Sequence, residues 1–447
     1  MNMNRLRSII VSCLLLAIAG VATAAEPEFP LKDGDIWVMA GDSITAQHLH
    51  SNYFEAFCFA RYPELKFAFR NSGVGGHTIP STLARFDYDV AAWKPTVVSV
   101  ELGMNDKGGT PTDKFLQNMK TMVDRIRATG GRPVILAASP VNNGETLAKL
   151  GGGNLRLHEY ATQLNGFCEQ EKVPYANQFH ALLDVWGQNK PREQLANSLG
   201  GLKQLASDDK LAGVEHLRQF LAAQAKEPSQ PVSMQGDPVH PGPPGQLMMA
   251  AALLRALGAA KFVSSAAIDA TGKLIDAKGC KIEELAPAGG GVTFTRLDER
   301  LPFPIPDETR NIVAFDPTIL DLSQYLLTVK GLKAGDYHLK INGVVSGAAT
   351  AEQLAAGVNL TSIPAGPSET AANPINARSR AILGAVSAKE GLVSQWRGLS
   401  QRAHAAGAEP KLKEDLAQLT TKVEEADAKI REVATPQKLR FEIVAAQ

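Results

Sequence analysis

The chain has 447 residues, of which 44% are hydrophobic and 21% are charged, so length and composition indicate a globular protein of about two or three domains. Lysine plus arginine and aspartate plus glutamate both number 46, which gives a formal net charge of zero. This balance excludes a protein that neutralises nucleic-acid phosphates with a basic surface, and a polybasic protein of the membrane surface.

The first 24 residues have the pattern of a cleaved export signal. Arg5 and Arg7 precede an apolar run over residues 9–19, and a small-x-small site follows at residues 22–24. A membrane-spanning helix would need roughly 20 apolar residues, and a lipoprotein signal would need a longer apolar stretch before Cys13. We therefore expect a secreted or periplasmic protein without stable membrane insertion, whose mature chain starts near Ala25.

Three cysteines remain once the signal is removed: Cys58, Cys168 and Cys280. They allow at most one disulfide, and the sequence leaves open which pair would form it. The chain contains no Cys-x-x-Cys pair, so neither a zinc ribbon nor a redox pair is indicated.

Short apolar runs alternate with helical patterns over residues 25–263. This alternation predicts a parallel sheet covered by helices on both faces, a three-layer α/β domain. The predicted strands cover residues 35–40, 65–70, 96–102, 133–138 and, more weakly, 173–175. The predicted helices cover residues 49–62, 112–129, 154–171, 191–226 and 246–260.

The pattern changes to a β-rich accessory region over residues 264–375. Predicted strands cover residues 291–297, 311–315, 325–329 and 337–341, and Asn342-Gly343 is typical of a type I′ hairpin turn. Two long helices, 376–405 and 411–433, and a last strand, 438–444, follow. We expect residues 376–447 to form a helical hairpin and a strand that pack with the accessory region.

A candidate nucleophile follows the first predicted strand directly. Gly41-Asp42-Ser43 places a serine at the edge of an α/β sheet where ligands bind. Helix N–H groups next to Ser43 could stabilise an oxyanion. The alternative is that Ser43 only caps the helix.

A candidate base lies far downstream, in a proline-rich loop. Asp237 stands three residues before His240. Histidine can take the proton of a serine hydroxyl near neutral pH, and an aspartate can hold its tautomer. The alternative is a solvated histidine in a surface loop.

Two further segments follow predicted strands and offer hydrogen-bond donors. Asn105, after the third strand, carries an amide that can donate to an oxyanion. After the second strand, the glycines at positions 73, 75 and 76 allow a backbone N–H to approach a substrate closely. A phosphate-binding loop is the alternative, but the dinucleotide spacing and a Lys-Ser/Thr end are both missing.

Taken together, these four segments, in this order, resemble the SGNH hydrolases, also called the GDSL family of esterases and lipases. The resemblance covers residues 35–260 and rests on Gly41-Asp42-Ser43, Gly76, Gly103-Met104-Asn105-Asp106 and Asp237-Pro238-Val239-His240. It implies a flavodoxin-like sheet order and no metal or cofactor. It also implies a catalytic triad of Ser43, Asp237 and His240, with an oxyanion hole formed by the Ser43 and Gly76 N–H groups and the Asn105 amide.

Four residues near these motifs are further candidates for substrate binding: Asp42, His77, Asp106 and Asn142. For Asp106, a role in fixing the loop that aims Asn105 is favoured over substrate contact. His180, Trp186 and residues 197–201, in the long stretch from 140 to 235, could line an enlarged cleft, although a packed helical insert is the favoured interpretation. Trp396 and Arg397 are expected at an interdomain contact rather than on a sugar platform.

The expected activity is that of an exported serine esterase acting on a small-molecule or polysaccharide ester, with O-deacetylation of a carbohydrate preferred. A lipolytic esterase, a lysophospholipase or a thioesterase is the alternative among enzymes. A binding protein with an idle hydrolase domain is the alternative outside enzymes.

Overall fold

The computed structural model describes residues 28–143, 145, 150–183, 207, 236–309, 318–362 and 373–446. The predicted signal peptide and Ala25 lie outside these residues. So do Trp186, residues 197–201, the predicted strand at 311–315 and, apart from Ser207, the predicted helix at 191–226.

A five-stranded parallel sheet forms the first part of the chain. Its strands are β1 (Asp35–Gly41), β2 (Phe67–Gly73), β3 (Val97–Leu102), β4 (Arg132–Ala137) and β5 (Tyr175–Ala176). Their spatial order is β2-β1-β3-β4-β5, and all pairs are parallel. The flavodoxin-like order implied by the family resemblance is therefore confirmed.

Helices connect and cover these strands. They are α1 (Ser43–Ala46), α2 (His50–Arg61), α3 (Ile79–Ala84), α4 (Phe86–Asp89), α5 (Thr112–Ala128), α6 (Gly152–Glu171), α7 (Gln178–Leu183) and α8 (Pro243–Ala256). All six residues of β3 are buried, including the polar Ser99 and Glu101, as expected for a strand covered on both faces. Helix α2 packs against α8, and α5 against α6, so helices cover the sheet as the three-layer prediction requires.

The β-rich region contains two sheets around a second hydrophobic core. The first has the order β13-β10-β6-β7, and the second is an antiparallel sheet with the order β12-β11-β14-β9-β8. The strands are β6 (Phe262–Asp269), β7 (Lys273–Lys278), β8 (Cys280–Ala288), β9 (Gly291–Asp298), β10 (Gln324–Lys330), β11 (Asp336–Ile341), β12 (Val344–Thr350), β13 (Val358–Asn359) and β14 (Leu439–Ala445). Two short helices, α9 (Thr318–Asp321) and α10 (Ala351–Ala356), lie in the same stretch. Asn342 and Gly343 both have positive φ, as a type I′ turn requires.

The C-terminal helices α11 (Pro374–Ala403) and α12 (Pro410–Ala434) form the predicted hairpin. Strand β14 joins the second accessory sheet, and Arg380 of α11 donates to Asp307 over 2.7 Å. The helices also cover α2 and the edge strand β2, and buried apolar residues of both helices belong to the core of the α/β domain. The ring of Trp396 stacks on Trp93 with 3.5 Å between ring centroids, which is the interdomain contact predicted for this residue.

Buried hydrogen bonds of charged side chains explain this position of the hairpin. Lys389 of α11 donates to Glu55 of α2 over 2.9 Å, and Asp427 of α12 accepts from Arg70 of β2 over 2.7 and 3.1 Å. These groups need partners on the α/β domain, because a lone buried charge is costly.

Cys58, Cys168 and Cys280 are buried and unpaired, so no disulfide forms among the cysteines that the structure describes. Within the same residues, no helix has the length and apolar character needed to cross a bilayer.

Candidate active site

Ser43 lies at the carboxyl end of β1, as the first residue of α1. Asp42 caps this short helix by accepting from the Ile44 N–H over 2.9 Å. A Cβ at Gly41 would lie 2.0 Å from Oγ1 of Thr45, so the tight strand-to-helix turn needs a glycine there. Ser43 itself is only half-buried, which leaves its hydroxyl group accessible.

His240 reaches the same edge of the sheet from the loop before α8. Its Nε2 lies 2.8 Å from Oγ of Ser43, and its Nδ1 lies 2.8 Å from Oδ2 of Asp237. The structure thus brings Ser43, His240 and Asp237 together in the order that proton transfer from a serine nucleophile requires.

The loop that carries His240 is a tight turn stabilised by Asp237. Oδ1 of Asp237 accepts from the N–H groups of Val239, over 2.7 Å, and His240, over 2.8 Å. Partial desolvation acts to raise the pKa of Asp237, but these bonds and the one to the His240 ring outweigh it and lower the pKa. Asp237 is therefore an ionised acceptor at neutral pH. Gly236 has a φ of +82°, and a Cβ there would lie 2.2 Å from the His240 carbonyl oxygen.

Gln246 connects the segment after the nucleophile to the loop of the base. The sequence patterns did not single out this residue. From α8, its Nε2 donates to the Pro241 carbonyl over 3.0 Å and also contacts Oε1 of Gln47, just beyond α1. Its Oε1 accepts from the His50 N–H over 2.9 Å. The available signal was a glutamine beside the apolar run of a predicted helix. The structure shows that this glutamine is fully buried, and a buried polar group needs hydrogen-bond partners.

The expected oxyanion donors lie on the two neighbouring loops. A Cβ at Gly75 would lie 3.9 Å from Cβ of Ser43, which places the loop of Gly76 beside the nucleophile. Gly76 is exposed and has a φ of +75°. Nδ2 of Asn105 donates to the His77 carbonyl over 3.1 Å and lies 3.4 Å from Oδ2 of Asp42. The Asn105 amide is thus held at the same edge of the sheet.

Two buried carboxyl groups lie beneath the nucleophile. Burial raises the pKa of Asp42 to about 6, while the Ile44 N–H and the nearby His240 act in the opposite direction. Glu101 of β3 accepts from the Thr45 hydroxyl over 3.0 Å, and burial raises its pKa well above the usual range. Asp42, a candidate for substrate contact, is fully buried and serves as the helix cap.

His77 is held in place by Arg85. His77 is half-buried, and its Nδ1 lies 3.1 Å from Nε of Arg85. Because a guanidinium can only donate, Nδ1 is the acceptor and the neutral ring carries its proton on Nε2. Burial, followed by the charge of Arg85, lowers the pKa of His77.

Asp106 is buried, and its Oδ1 accepts from the Ile79 N–H at the start of α3, over 3.3 Å. Burial raises the pKa of Asp106 to about 6. The carboxyl group thus anchors the segment after Gly76, as expected for a residue that fixes this loop.

Asn142 supports the loop of the base through its backbone. Its N–H donates to the Pro238 carbonyl over 2.7 Å. Its Oδ1 is buried without a partner among the residues that the structure describes, so it remains a candidate for substrate contact. His180 bonds to His158 over 3.0 Å and to Asn177 over 2.7 Å, which indicates packing within the helical insert. In the described ranges, no cluster of three histidine, cysteine or acidic side chains could hold a metal ion.

Comparisons with known proteins bear on the family and the fold. Residues 39–248 match the model of the GDSL-like Lipase/Acylhydrolase family, which confirms the family resemblance. An acetylxylan esterase from Geobacillus stearothermophilus is 34% identical over 85 residues, or 19% of this chain. The match spans only 38% of the length of that relative.

Among solved structures, a gut microbial diltiazem-metabolizing enzyme superimposes with a TM-score of 0.69 at 20% identity, over 95% of this chain and 100% of its own. This likeness concerns the fold, including the accessory region and the helical hairpin. The acetylxylan esterase Axe2 from Geobacillus stearothermophilus superimposes with a TM-score of 0.37 at 18% identity, over 51% of this chain and 95% of its own.

Proposed function

The chain belongs to the GDSL-like lipase/acylhydrolase family through residues 39–248, and on this premise we propose that it is a serine esterase that removes acetyl groups from a carbohydrate. The observation that carries the proposal is the chain of two 2.8 Å hydrogen bonds from Ser43 through His240 to Asp237. This arrangement matches the distances needed for general-base activation of a hydroxyl group.

In the proposed reaction, Oγ of Ser43 attacks the ester carbonyl carbon while its proton moves to Nε2 of His240. The negative charge that develops on the carbonyl oxygen is met by the N–H groups of Ser43 and Gly76 and by Nδ2 of Asn105. The carbon–oxygen bond of the ester then breaks, and the proton on His240 passes to the leaving alcohol. Water, deprotonated by His240, then attacks the acyl carbon on Ser43. The bond between this carbon and Oγ breaks, the proton on His240 returns to Oγ, and the acid is released.

Asp237 acts throughout on His240. Its ionised carboxylate accepts from Nδ1, so Nε2 is left free to take the proton of Ser43 and the imidazolium is stabilised.

Three features support a carbohydrate acetyl ester as substrate. The N-terminal pattern is that of an exported protein. A β-rich region follows the family domain. The local sequence match is to an acetylxylan esterase.

The substrate is tested with p-nitrophenyl acetate, butyrate and octanoate and with acetylated xylan, using Ser43→Ala as the blank. We expect release of acetate from the polysaccharide and turnover that falls sharply beyond the acetyl ester. Faster turnover of the octanoyl ester would support a lipolytic esterase instead. If the wild type hydrolyses none of these substrates faster than the Ser43→Ala blank, the result would support a binding protein.

We also propose that the protein is exported with cleavage after Ala24. When it is expressed with its native N-terminus in a bacterial host, the secreted or periplasmic form should begin at Ala25 in intact-mass analysis. Recovery of the full-length chain from the cytoplasm alone would contradict this.

A further inference from the structure

A chain of buried ion pairs connects the C-terminal hairpin to the loop of Gly76. We call residues 73–78, from the end of β2 to the start of α3, the oxyanion loop. In this series of contacts, Arg397 of α11 bonds to Asp89, Asp89 to Arg85, and Arg85 to His77. Neither the family motifs nor the proposed reaction uses Arg397, Asp89 or Arg85.

Arg397 contacts both the ion-pair chain and the loop itself. Its Nε and Nη2 donate to the two carboxylate oxygens of Asp89 over 2.6 and 2.8 Å. Its Nη1 donates to the carbonyl of Gly73, the first residue of the oxyanion loop, over 2.9 Å. Asp89 is only 2% exposed, so both charges of this pair are largely shielded from water.

Arg85 extends the chain to the edge of the sheet. Its Nη1 pairs with Asp89, and its Nη2 donates to the Ser72 carbonyl over 2.7 Å and to the Gly41 carbonyl over 3.3 Å. Ser72 lies near the end of β2, directly before the oxyanion loop, and Gly41 is the last residue of β1, two residues before Ser43. The remaining Nε holds Nδ1 of His77 over 3.1 Å.

His77 connects Arg85 to the oxyanion donors. Its carbonyl accepts from Nδ2 of Asn105 over 3.1 Å, and its backbone follows Gly76 directly. A displacement of His77 would therefore move two of the three proposed donors. A displacement of about 1 Å at such a site can reduce turnover on the order of 100-fold.

We propose that Arg397 is a positioning residue for the oxyanion hole, so the C-terminal hairpin is part of the esterase machinery and not only a structural support. The proposal rests on the proposed function. The guanidinium fork is needed because three bonds, two to Asp89 and one to Gly73, leave from three different nitrogens. A lysine at this position keeps the charge but cannot replace all three.

The kinetic test compares Arg397→Ala and Arg397→Lys with a matched control, Asp427→Asn. The control removes another buried arginine–aspartate pair between the hairpin and β2, but this pair does not bond to the oxyanion loop. For Arg397→Ala we expect kcat on p-nitrophenyl acetate to fall about 10- to 100-fold with KM changed less than about 3-fold. Arg397→Lys should lie between Arg397→Ala and the wild type. Asp427→Asn should lower Tm but keep kcat within about 2-fold of the wild type.

The structural test does not depend on hydrolysis. Long-range ¹⁵N NMR of the histidine rings distinguishes protonated from unprotonated nitrogen atoms, and the His77→Gln variant assigns the signals of His77. In the wild type and in Asp427→Asn, Nδ1 of His77 should be unprotonated; in Arg397→Ala, its signal should shift as the bond from Arg85 loosens.

The proposal is supported if both kcat and the His77 signal change in Arg397→Ala. It is overturned if the His77 signal is unchanged, or if kcat is unchanged while Tm falls. If the wild type hydrolyses no ester, the proposed function fails, and the NMR comparison alone then decides whether Arg397 orders the loop.

Discussion

Replacing Asp237 with asparagine should nearly abolish turnover while leaving its loop folded. Oδ1 of Asp237 accepts from the N–H groups of Val239 and His240, and an asparagine can retain this role. Its Nδ2 then faces Nδ1 of His240 and donates to it. The imidazole is thereby forced to carry its proton on Nε2, the atom that has to accept the proton of Ser43.

The size of the effect follows from this change of tautomer. In a serine protease with the same three residue types, the corresponding exchange lowers kcat by about 10⁴-fold, which is about 5.4 kcal/mol of activation free energy. The side chain of Asp237 is 58% exposed. Water can therefore solvate Nδ1 in Asp237→Ala and let the ring adopt either tautomer. In a serine protease, removal of the triad aspartate alone costs about 3 × 10⁴-fold in kcat. Because water reaches Nδ1 here, we expect Asp237→Ala to lose less than this and to be more active than Asp237→Asn.

The assay is kcat on p-nitrophenyl acetate for both variants, with Tm measured alongside. Asp269→Asn is the matched control, because Oδ1 of Asp269 accepts from the Thr271 N–H over 2.8 Å in a similar turn remote from the site. This control should keep wild-type kcat. Wild-type-like turnover of Asp237→Asn, or an asparagine variant more active than Asp237→Ala, would refute the reasoning about the tautomer.

Three further predictions concern the oxyanion donor, the hairpin and the buried charges. Asn105→Ala should reduce kcat on p-nitrophenyl acetate about 100-fold with Tm unchanged, because one oxyanion donor is lost; an unchanged kcat would remove Asn105 from the oxyanion hole. Trp396→Ala should lower the free energy of unfolding by about 3–5 kcal/mol in urea titration, because a buried, stacked ring is removed; a loss below about 1 kcal/mol would contradict the packing. Burial raises the pKa of Glu55 to about 8. Burial also acts to raise the pKa of Glu390, but the charge of Lys389 and the hydrogen bonds with His48 and Lys389 together outweigh it and lower the pKa to about 2. At pH 7, Glu55→Gln should therefore cost below about 1 kcal/mol and Glu390→Gln about 3–5 kcal/mol. The contribution of Glu390 is present above pH 4.5, its ordinary pKa, and is lost as the pH falls towards 2. The check is the free energy of unfolding of the wild type and of Glu390→Gln, measured by urea titration at several pH values in this range. If the free energy of unfolding changed equally with pH in both proteins, the assignment to Glu390 would be contradicted.

Local patterns were sufficient to predict the sheet and the residues at its edge. Short, largely apolar runs marked the four long parallel strands, because most residues of each strand are buried. Since the carboxyl ends of parallel strands meet at one edge, Ser43 and Asn105 could be expected there from their places after β1 and β3. The fifth strand is short, Tyr175–Ala176, and the weak pattern at 173–175 matches that.

Strands β7 and β8 were missed because their side chains alternate poorly between buried and exposed. Most residues of both strands are exposed, including Leu274 and Ile275, so no period-two pattern is present in the sequence. Their pairing depends on contacts with neighbouring strands rather than on local propensity.

The supporting residues of the site could not be predicted because their partners lie far away in the sequence. Arg397 bonds to Asp89, 308 positions earlier, and Gln246 bonds to His50, 196 positions earlier. Charged residues on a predicted helix are ordinarily expected on its exposed face, and Lys389 instead is fully buried. Only the docking of the hairpin onto β2 makes these charges necessary.

The proposed esterase reaction depends on an activated hydroxyl group at Ser43, and covalent labelling of this group detects its reactivity. Intact-mass analysis after treatment with a fluorophosphonate should show one adduct per chain, mapped to Ser43 by peptide sequencing and absent in both Ser43→Ala and His240→Ala. No adduct on the folded wild type, or an adduct on another residue with Ser43 unmodified, would contradict the account.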